Sequence, residues 1–393
     1  MMLTVEQALA RCLALAAALP SETIALRHAH GRMMPGPATA RRDQPPFAAS
    51  AMDGYAVAGD APPGTRFAVT GQSAAGHAHD GTVSPGQAVR IFTGAPVPPG
   101  ATRVVIQEDV TRDGDHITVN PGTEGHTNIR AAGQDFRAGD TLPPRRLSAH
   151  DLALLAAMNI AQVTVTRRPI VALIATGDEL VMPGESPSPA QIIASNTFAL
   201  AALIEAEGGV ARLLPIARDT ADDLRAVLTM ALDADLIVTI GGASVGDHDL
   251  VAGVAEEMGM ERAFWKIAMR PGKPLMAGRL HGKPLLGLPG NPVSAIVCCH
   301  LFVLPMVRAL QARPDVAPHP RRACLGAAVD ANGPRAHYMR ARLTDGPDLP
   351  LVTPFAAQDS ALLRILAQAN ALLIRPIGDP ARTSGELVTY LPL

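Results

Sequence analysis

Three short segments combine glycines with polar or acidic side chains. They read ATGDEL at 175–180, GGASVGDHD at 241–249 and GLPGNP at 287–292, and we call them the first, second and third loop. Glycine lets backbone N–H groups approach an anion closely, and a following helix N-terminus adds partial positive charge. Carboxylates beside such an anion require a cation between them, and Mg²⁺ prefers hard oxygen ligands. The three loops predict a site for a phosphate-bearing ligand and a divalent metal.

Each loop taken alone also has an ordinary structural interpretation. Glu179 is equally consistent with a solvated loop acid or a helix cap, and Asp249 with an N-cap or first-turn acid. In an open parallel sheet, however, ligands bind beyond the carboxyl ends of the strands. Three such loops at one sheet edge therefore favour a ligand site. The GxGxxG fingerprint is absent, which disfavours a dinucleotide dehydrogenase.

Lysine is confined to a short stretch of the chain. Of the 34 basic residues only three are lysines, Lys266, Lys273 and Lys283. In a chain that otherwise uses Arg, Lys suggests positions that require a compact ammonium group. Because Lys266 and Lys273 lie between the second and third loops, they are expected to join the anion site. The alternative is chance clustering.

Two further segments carry isolated polar groups. SAMDGYAV at 50–57 places Asp53 beside a glycine, and FTGAPVP at 92–98 contains a Thr-Gly turn at Thr93. From the residues alone, both segments are more simply explained as turns that flank strands. Neither a Ser/His/Asp constellation nor a histidine metal cluster is indicated by the sequence.

Alternating strands and helices are predicted to position the three loops. Strands are predicted at 169–175, 212–216, 235–240 and 284–288. Helices are predicted at 196–207, 220–232, 248–258 and 291–310. Apolar strands that alternate with helices indicate a doubly wound parallel α/β domain. Thr220 with Asp223 forms a capping-box pattern, and Asn291 is expected to be an N-cap followed by Pro292 at the first helical position.

The rest of the chain has a different sequence pattern. Residues 46–127 contain short β-type segments separated by Gly, Pro and Asp, which predict a small β domain. Thr4 followed by Gln7 predicts a capped first helix, and SAHD at 148–151 predicts another. A Pro-rich linker at 314–320 precedes a return to β texture.

Composition excludes several classes of protein. The 393 residues carry a formal net charge of −2 and have 12 aromatic side chains, which argues against a nucleic-acid binder. The four cysteines show neither zinc spacing nor a disulfide pattern, which favours a reducing cytoplasm. The longest apolar run, 293–307, is too short to span a bilayer. We therefore expect neither nucleic acid nor membrane as a partner.

Taken together, the motifs resemble a known family. The segments that carry the resemblance are SAMDGYAV, FTGAPVP, TGDEL, SN at 195–196, GGASVGDHD, KIAMRPGKP at 266–274 and GLPGNPVSA at 287–295. Their identity and order resemble the MoeA/gephyrin E-domain family of molybdopterin molybdenumtransferases over nearly the whole chain.

The resemblance implies a multidomain α/β and β architecture. It comprises an elongated linker domain at 1–45 and 128–166, an inserted small β domain at 46–127, a central doubly wound MogA-like α/β domain at 167–313, and a C-terminal β-barrel at 314–393. It also implies a homodimer with shared active sites.

The reaction implied by the resemblance is the last step of molybdenum cofactor synthesis. Adenylylated molybdopterin is hydrolysed, molybdenum from molybdate enters the dithiolene, and AMP is released. Mg²⁺, or another divalent cation, is the expected cofactor and molybdate a substrate. Further expected partners are the molybdopterin adenylyltransferase and molybdoenzyme chaperones.

The site residues follow by motif. The expected catalytic residues are Asp53, Glu179, Asp219 and Asp249, of which Glu179, Asp219 and Asp249 are also the expected metal ligands. The expected substrate-binding residues are Thr93, Thr176, Gly177, Asn196, Gly241, Gly242, Ser244, Gly246, Lys266, Arg270, Lys273, Pro289, Gly290, Asn291 and Pro292.

Three departures from the family pattern are visible. Arg270 stands where many members carry Lys, Ala243 replaces a common Val, and QDSA at 358–361 stands where Gln-Gly-Ser-Gly is usual, so the family pattern does not predict the local geometry of the barrel there. The alternative functions are adenylyl transfer to molybdopterin, which uses a similar α/β domain, and a non-catalytic scaffold role. The presence of Glu179, Asp219 and Asp249 argues against a non-catalytic scaffold role.

Overall fold

The computed structural model describes residues 2–122, 125–242 and 250–393, and these form two compact units. The first unit consists of Met1–Glu22, Gly31–Met33 and Val165–Leu393, and the second of Thr23–His30 and Met34–Thr164. The first helix, Val5–Leu15, packs in the core of the first unit, although the predicted linker domain includes it. The four predicted domain boundaries stay a prediction.

A six-stranded sheet lies at the centre of the first unit. Its strands, in spatial order, are Val210–Leu213, Ile170–Ala175, Leu236–Ile240, Lys283–Leu288, Met276–Leu280 and Glu261–Trp265. The first four are parallel, as predicted. Met276–Leu280 pairs antiparallel with both of its neighbours and therefore runs opposite to the other five strands. His281 and Gly282, with φ of 47° and 79°, form the two-residue turn that reverses the chain between Met276–Leu280 and Lys283–Leu288. Such turns join antiparallel strands, and the sheet is therefore mixed.

Helices cover both faces of this sheet, which confirms the doubly wound arrangement. They are Val5–Leu15, Asn196–Ala206, Ala221–Met230, Leu250–Glu257, Pro292–Cys298 and Leu304–Leu310, the last two joined by the π-helical segment Cys299–Val303. Val171 and Leu173 pack with helices Asn196–Ala206 and Pro292–Cys298. Their neighbours Ala172 and Ile174 pack on the opposite face with Ala221–Met230 and Leu250–Glu257. Successive strand residues point to opposite faces, so a fully apolar strand fills both cores.

Local capping follows the sequence at some helix ends and departs from it at others. Thr4 and Gln7 form the predicted capping box. Thr220 accepts a hydrogen bond from the Asp223 backbone, but the Asp223 carboxylate accepts from the Arg218 backbone at 2.5 Å, so that box is only half formed. Asn291 occupies the N-cap position without a side-chain capping bond. The predicted strand at 212–216 is in fact Val210–Leu213.

The helical stretch Pro292–Leu310 has a mean hydropathy of 2.0. By length and composition alone it is apolar enough to cross a membrane, but 78% of it is buried inside the protein. Val293, Phe302 and Met306 are fully buried in the core of the first unit. This burial is what the core helix of a folded domain shows.

The C-terminal part of the first unit is a closed barrel. Its five strands, in the order in which they pair around the barrel, are Ala336–Thr344, Leu351–Pro354, Arg321–Leu325, Leu387–Pro392 and Ala371–Arg375, the last of which pairs again with the first. A short strand, Met269–Arg270, adds to Ala336–Thr344 in parallel, and a short helix covers Leu363–Leu366. The predicted β-barrel is therefore present.

Among its described residues, the second unit contains a six-stranded sheet, one α-helix and two short 3-10 helices, Leu26–His28 and Gln107–Asp109. The sheet strands, in spatial order, are Arg103–Ile106, Gly54–Val57, Gln87–Ile91, Arg66–Ser73, His116–Val119 and Val110–Asp113. The shorter strands are Ala38–Thr39, Ala49–Ser50, Ile129–Arg130 and Thr141–Leu142. The helix Ala149–Ala157 begins with the predicted Ser148–Asp151 capping box. Short strands predominate in this unit, as expected for a small β domain.

Four further short strands are Ser21–Ala25, Met33–Met34, Arg145–Arg146 and Gln162–Thr166. In the first unit Leu180–Val181 pairs in parallel with Ile192–Ile193.

His337 in the barrel provides a test of how burial affects stability. Burial, and then the positive charge of Arg270, Arg340, Arg375 and Arg335, lowers its pKa to about 3. Below about pH 6.5 the His337 side chain therefore binds a proton in the unfolded chain but not in the folded chain. The free energy of unfolding falls as the pH drops from about 6.5 toward 3.

We expect His337→Gln to make the loss of stability with falling pH shallower, by up to about 1.4 kcal/mol per pH unit. Thermal unfolding midpoints between pH 4 and 7 measure this, with the exposed His319→Gln as the matched control. A pH profile that is identical in His337→Gln and the wild-type chain would contradict the assignment.

Candidate functional site

The carboxyl ends of three neighbouring strands meet at a cavity of about 610 Å³ in the first unit. Ala175 pairs in register with Ile240, and Ile240 with Leu288, so the three loops leave the sheet at the same level. The predicted residues that line the cavity are Thr176, Gly177, Glu179, Asn196, Asp219, Gly241, Gly242, Pro289, Gly290, Asn291 and Pro292. Ser244, Gly246 and Asp249 lie outside the described residues.

Glycines let the loops approach one another. Gly241 has a φ of 102°, and a Cβ there would lie 2.6 Å from the Thr176 carbonyl oxygen. A Cβ on Gly290 would lie 3.4 Å from the Gly241 Cα. At Gly241 both the backbone conformation and the lack of space exclude a larger residue. The close approach leaves backbone groups as part of the cavity wall.

Two predicted carboxylates line this cavity. Asp219 is held by a reciprocal pair of bonds with Asp178: its backbone N–H donates to Asp178 Oδ1 at 3.1 Å, and the Asp178 N–H donates to Asp219 Oδ2 at 3.4 Å. The Glu179 carboxylate folds over Gly177, where a Cβ would lie 2.3 Å from its Oε2. Both side chains belong to exposed residues and can meet a ligand.

Two buried polar atoms at this cavity have no hydrogen-bond partner in the described part of the chain. They are Thr176 Oγ1 and Asn196 Oδ1. The Asn196 amide is oriented by a bond from its Nδ2 to the Gly290 carbonyl oxygen at 2.7 Å. Buried polar atoms are nearly always satisfied, so these two are suited to bind a polar ligand.

A second cavity of about 400 Å³ adjoins the first, and both share Pro274, Pro289 and Asn291. Its charged lining residues are Arg270, Lys273, Arg335 and Asp359, and its other polar ones are Asn291, Ser294, His337, Gln358 and Ser360. Three cations face a single carboxylate there. The first cavity thus presents carboxylates, and the second presents mainly positive charge.

The loop that carries the basic residues is held from several sides. The Ile267 N–H donates to the Lys273 carbonyl oxygen at 3.1 Å. Gly272, with a φ of 104°, leaves space that Cys298 occupies, since a Cβ would lie 2.5 Å from its Sγ. These contacts direct Arg270 and Lys273 toward the second cavity.

The other two lysines are placed differently. Lys266 lines neither cavity, and its Nζ lies 6.0 Å from the centre of the Trp265 ring. Lys283 begins the strand whose far end leads into the third loop, about 17 Å away along the strand. Of the three clustered lysines, Lys273 is the one that lines either of these two cavities.

The unusual QDSA segment forms an ordered wall of the second cavity. Gln358 Oε1 accepts hydrogen bonds from Arg340 N, Nε and an Nη at 3.0–3.2 Å, and Gln358 Nε2 donates to the Arg340 carbonyl oxygen at 2.9 Å. The Val293 N–H donates to the Ser360 carbonyl oxygen at 3.1 Å, which fastens the segment to the helix after the third loop. Ala361 lines the first cavity.

Arg335, His337 and Ser294 were missed as candidates by sequence reasoning. Ser294 lies in the GLPGNPVSA motif, which was the one available signal. Arg335 and His337 reach the cavity from a barrel strand more than 60 residues after Lys273, and no local pattern marks them.

Asp53 and Thr93 come together in the second unit. Asp53 Oδ1 accepts hydrogen bonds from the Thr93 N–H and from Thr93 Oγ1, both at 2.7 Å. These bonds hold the pKa of the exposed Asp53 carboxyl below its ordinary value. Arg90 packs over the rings of Tyr55 and Phe92, at 5.0 and 4.9 Å from their centres. The SAMDGYAV and FTGAPVP segments therefore form one polar corner with a carboxylate kept ionised.

Three family models together match most of the chain. They describe the MoeA N-terminal region (domain I and II) at residues 3–159, a probable molybdopterin binding domain at 172–309, and the MoeA C-terminal region (domain IV) at 322–393.

Similar proteins of known name agree with these models. A Nostoc sp. molybdopterin molybdenumtransferase is 34% identical, over 95% of this chain and 89% of its own length. Molybdopterin molybdenumtransferase 2 from Mycobacterium tuberculosis is 36% identical over 90% of each chain. The crystal structure of the molybdopterin biosynthesis MoeA protein from Pyrococcus horikoshii is 30% identical and superposes with a TM-score of 0.85, over 100% of this chain and 99% of that one. The chain therefore belongs to the molybdopterin molybdenumtransferase family.

Proposed function

We propose that this chain performs the last step of molybdenum cofactor synthesis, in which adenylylated molybdopterin is cleaved, AMP leaves and molybdenum from molybdate enters the dithiolene. The observation that carries the proposal is the junction of two cavities of opposite character at the third loop. One suits a metal-bound pyrophosphate and the other an oxyanion. A reaction that joins these two substrates requires both cavities side by side.

The first cavity supplies the groups that a pyrophosphate needs. Gly241 and Gly290 bring backbone close to the ligand, and the helix Pro292–Cys298 directs its N-terminus at the cavity. Thr176 Oγ1 can donate a hydrogen bond to a phosphate oxygen, and Asn196 Oδ1 can accept one from a ligand hydroxyl or N–H group. Helix N-termini and glycine-rich loops bind phosphate for these physical reasons.

Mg²⁺ is the proposed cofactor of the first cavity. Within the described residues, no group of three His, Cys, Asp or Glu side chains is assembled for a metal. Glu179 and Asp219 nonetheless provide the hard oxygen ligands that this ion prefers, and Asp249 is the proposed third ligand. A phosphate-bearing substrate can complete such a site, as is usual for Mg²⁺. When bound, the ion would neutralise charge on the phosphoanhydride and act as a Lewis acid.

Molybdate is proposed to bind in the second cavity. Arg270, Lys273 and Arg335 supply positive charge. His337 stays neutral at physiological pH because its pKa lies near 3, so its ring can donate a hydrogen bond from only one nitrogen. Pro289 and Asn291 belong to both cavities, which would hold molybdate next to the cleaved substrate.

Assembly and location complete the proposal. We propose a homodimer in which Asp53 of one chain completes the site of the other. We also propose that the adenylyltransferase supplies the substrate, that molybdoenzyme chaperones receive the product, and that the chain is cytoplasmic. Cys12, Cys298 and Cys299 are buried free thiols, which suits a reducing compartment. Adenylyl transfer is not favoured as the function, because the chain matches molybdenumtransferases along most of its length.

Glu179→Gln is the direct test of the metal site. We expect it to abolish molybdate-stimulated AMP release and to leave folding intact, because an exposed loop acid contributes little to packing. Glu185→Gln, an exposed loop acid whose carboxylate only accepts from the Met182 backbone, is the matched control. Full AMP release by Glu179→Gln, or full activity in excess chelator, would overturn the assignment.

Lys273→Arg tests the cationic cavity. Arginine keeps the charge but replaces a compact ammonium with a larger planar group, so we expect molybdate or substrate binding to weaken by about 1–2 kcal/mol. Lys283→Arg, at the opposite end of its strand, is the control and should leave binding unchanged. Equal binding by the Lys273→Arg and wild-type chains, measured by calorimetry, would remove Lys273 from the site.

Subunit complementation tests the shared site. Asp53→Asn and Glu179→Gln chains should each be inactive alone. Random subunit exchange makes half of the dimers mixed, and each mixed dimer has one intact site, so about a quarter of wild-type activity should return. If no activity returns after exchange is confirmed by labelled subunits, Asp53 acts within its own chain or outside the site.

A further inference from the structure

Arg270 stands between two cavities of the first unit. It lines the second cavity described above, and it also lines a cavity of about 600 Å³ in the barrel. His337 is the other residue common to both. Arg270 therefore lies in the wall between the two cavities, and the side chain that holds it, which lines the barrel cavity, fixes how its positive charge reaches into the proposed molybdate cavity.

Asn332 is the side chain that holds Arg270. Its Oδ1 accepts a hydrogen bond from an Arg270 Nη at 3.3 Å. Its Nδ2 donates to the carbonyl oxygens of Arg335, Arg375 and Pro376 at 2.9, 3.1 and 2.6 Å. An amide turned the other way would place its oxygen against three carbonyl oxygens, so only the observed orientation is stable. Asn332 is 9% exposed and is thus a fixed acceptor for Arg270.

The partner of Arg270 is neutral, in contrast to those of its arginine neighbours. Arg375 and Arg382, which line the barrel cavity, both pair with the Asp379 carboxylate. Arg270 forms no ion pair with any described residue; the salt bridges of residues 2–122, 125–242 and 250–393 leave it out. An amide orients a guanidinium without neutralising it, so its full charge remains available to an anion.

We propose that Asn332 is a positioning residue for the reaction: its buried amide holds the Arg270 guanidinium at the wall of the second cavity, with its charge uncompensated, so that the oxyanion binds there. The inference rests on the proposed function of that cavity. The inference applies to an arginine at position 270 and not to a lysine there. A guanidinium can donate to Asn332 and to an anion at once through different N–H groups, whereas an ammonium on a shorter, flexible stem is not held in this way.

The test is the molybdate dependence of AMP release by the full-length chain. We expect Asn332→Ala to raise the KM for molybdate about tenfold, which is the loss expected for one charge-assisted hydrogen bond, while kcat stays within about twofold. Asn370→Ala is the matched control. Asn370 bonds the Leu343 backbone through both amide atoms in the same barrel and does not contact Arg270, so this change should leave the KM for molybdate unaltered.

A second pair of variants separates positioning from general loss of stability. In an Arg270→Lys background, Asn332→Ala should raise the KM no further, because the bond it removes is already absent. If Asn332→Ala acted by loosening the barrel instead, it would raise the KM in the Arg270→Lys background as well.

The outcomes separate the inference from the function on which it rests. An unchanged KM in Asn332→Ala, an equal rise in Asn370→Ala, or a further rise on adding Asn332→Ala to Arg270→Lys overturns the role of Asn332. An Arg270→Ala chain whose KM for molybdate is unchanged overturns instead the assignment of the second cavity to molybdate.

Discussion

The structure of the site depends on one constraint, which is that three parallel strands end in register. Ala175, Ile240 and Leu288 are paired across the sheet, so the loops that follow them must occupy the same small volume. Gly241 and Gly290 make this possible, because a side chain at Gly241 would collide with the Thr176 backbone. The cavity that results is walled by backbone, which is the kind of surface that binds phosphate groups.

The second consequence of this crowding is a separation of charge across the third loop. Carboxylates lie on one side of Pro289 and Asn291, and Arg270 and Lys273 lie on the other. A metal-bound pyrophosphate and a free oxyanion would repel each other in a single open pocket. In the proposed reaction, two adjoining cavities of opposite character would let both substrates bind close together, each with its own counter-charge.

The barrel contributes to this arrangement through neutral amides. Gln358 holds the buried Arg340, and Asn332 holds Arg270. Other arginines of the barrel pair with a carboxylate, as Arg375 does with Asp379. The choice of partner follows the electrostatics: an amide fixes the direction of a guanidinium and preserves its charge, whereas a carboxylate cancels it.

The sequence by itself determined whatever depends on near neighbours in the chain. Apolar strand runs, the Thr4 capping box and the glycine-rich loops are local signals, and the alternation of strands and helices implied that those loops share a sheet edge. The sequence did not reveal the reversed strand Met276–Leu280 near the edge of the sheet. Tertiary structure alone decided that Lys273 and not Lys266 faces a cavity, and that Arg335 and His337 line it from the barrel. The direction of a side chain and the meeting of distant segments are set by packing over the whole unit, which no local pattern encodes.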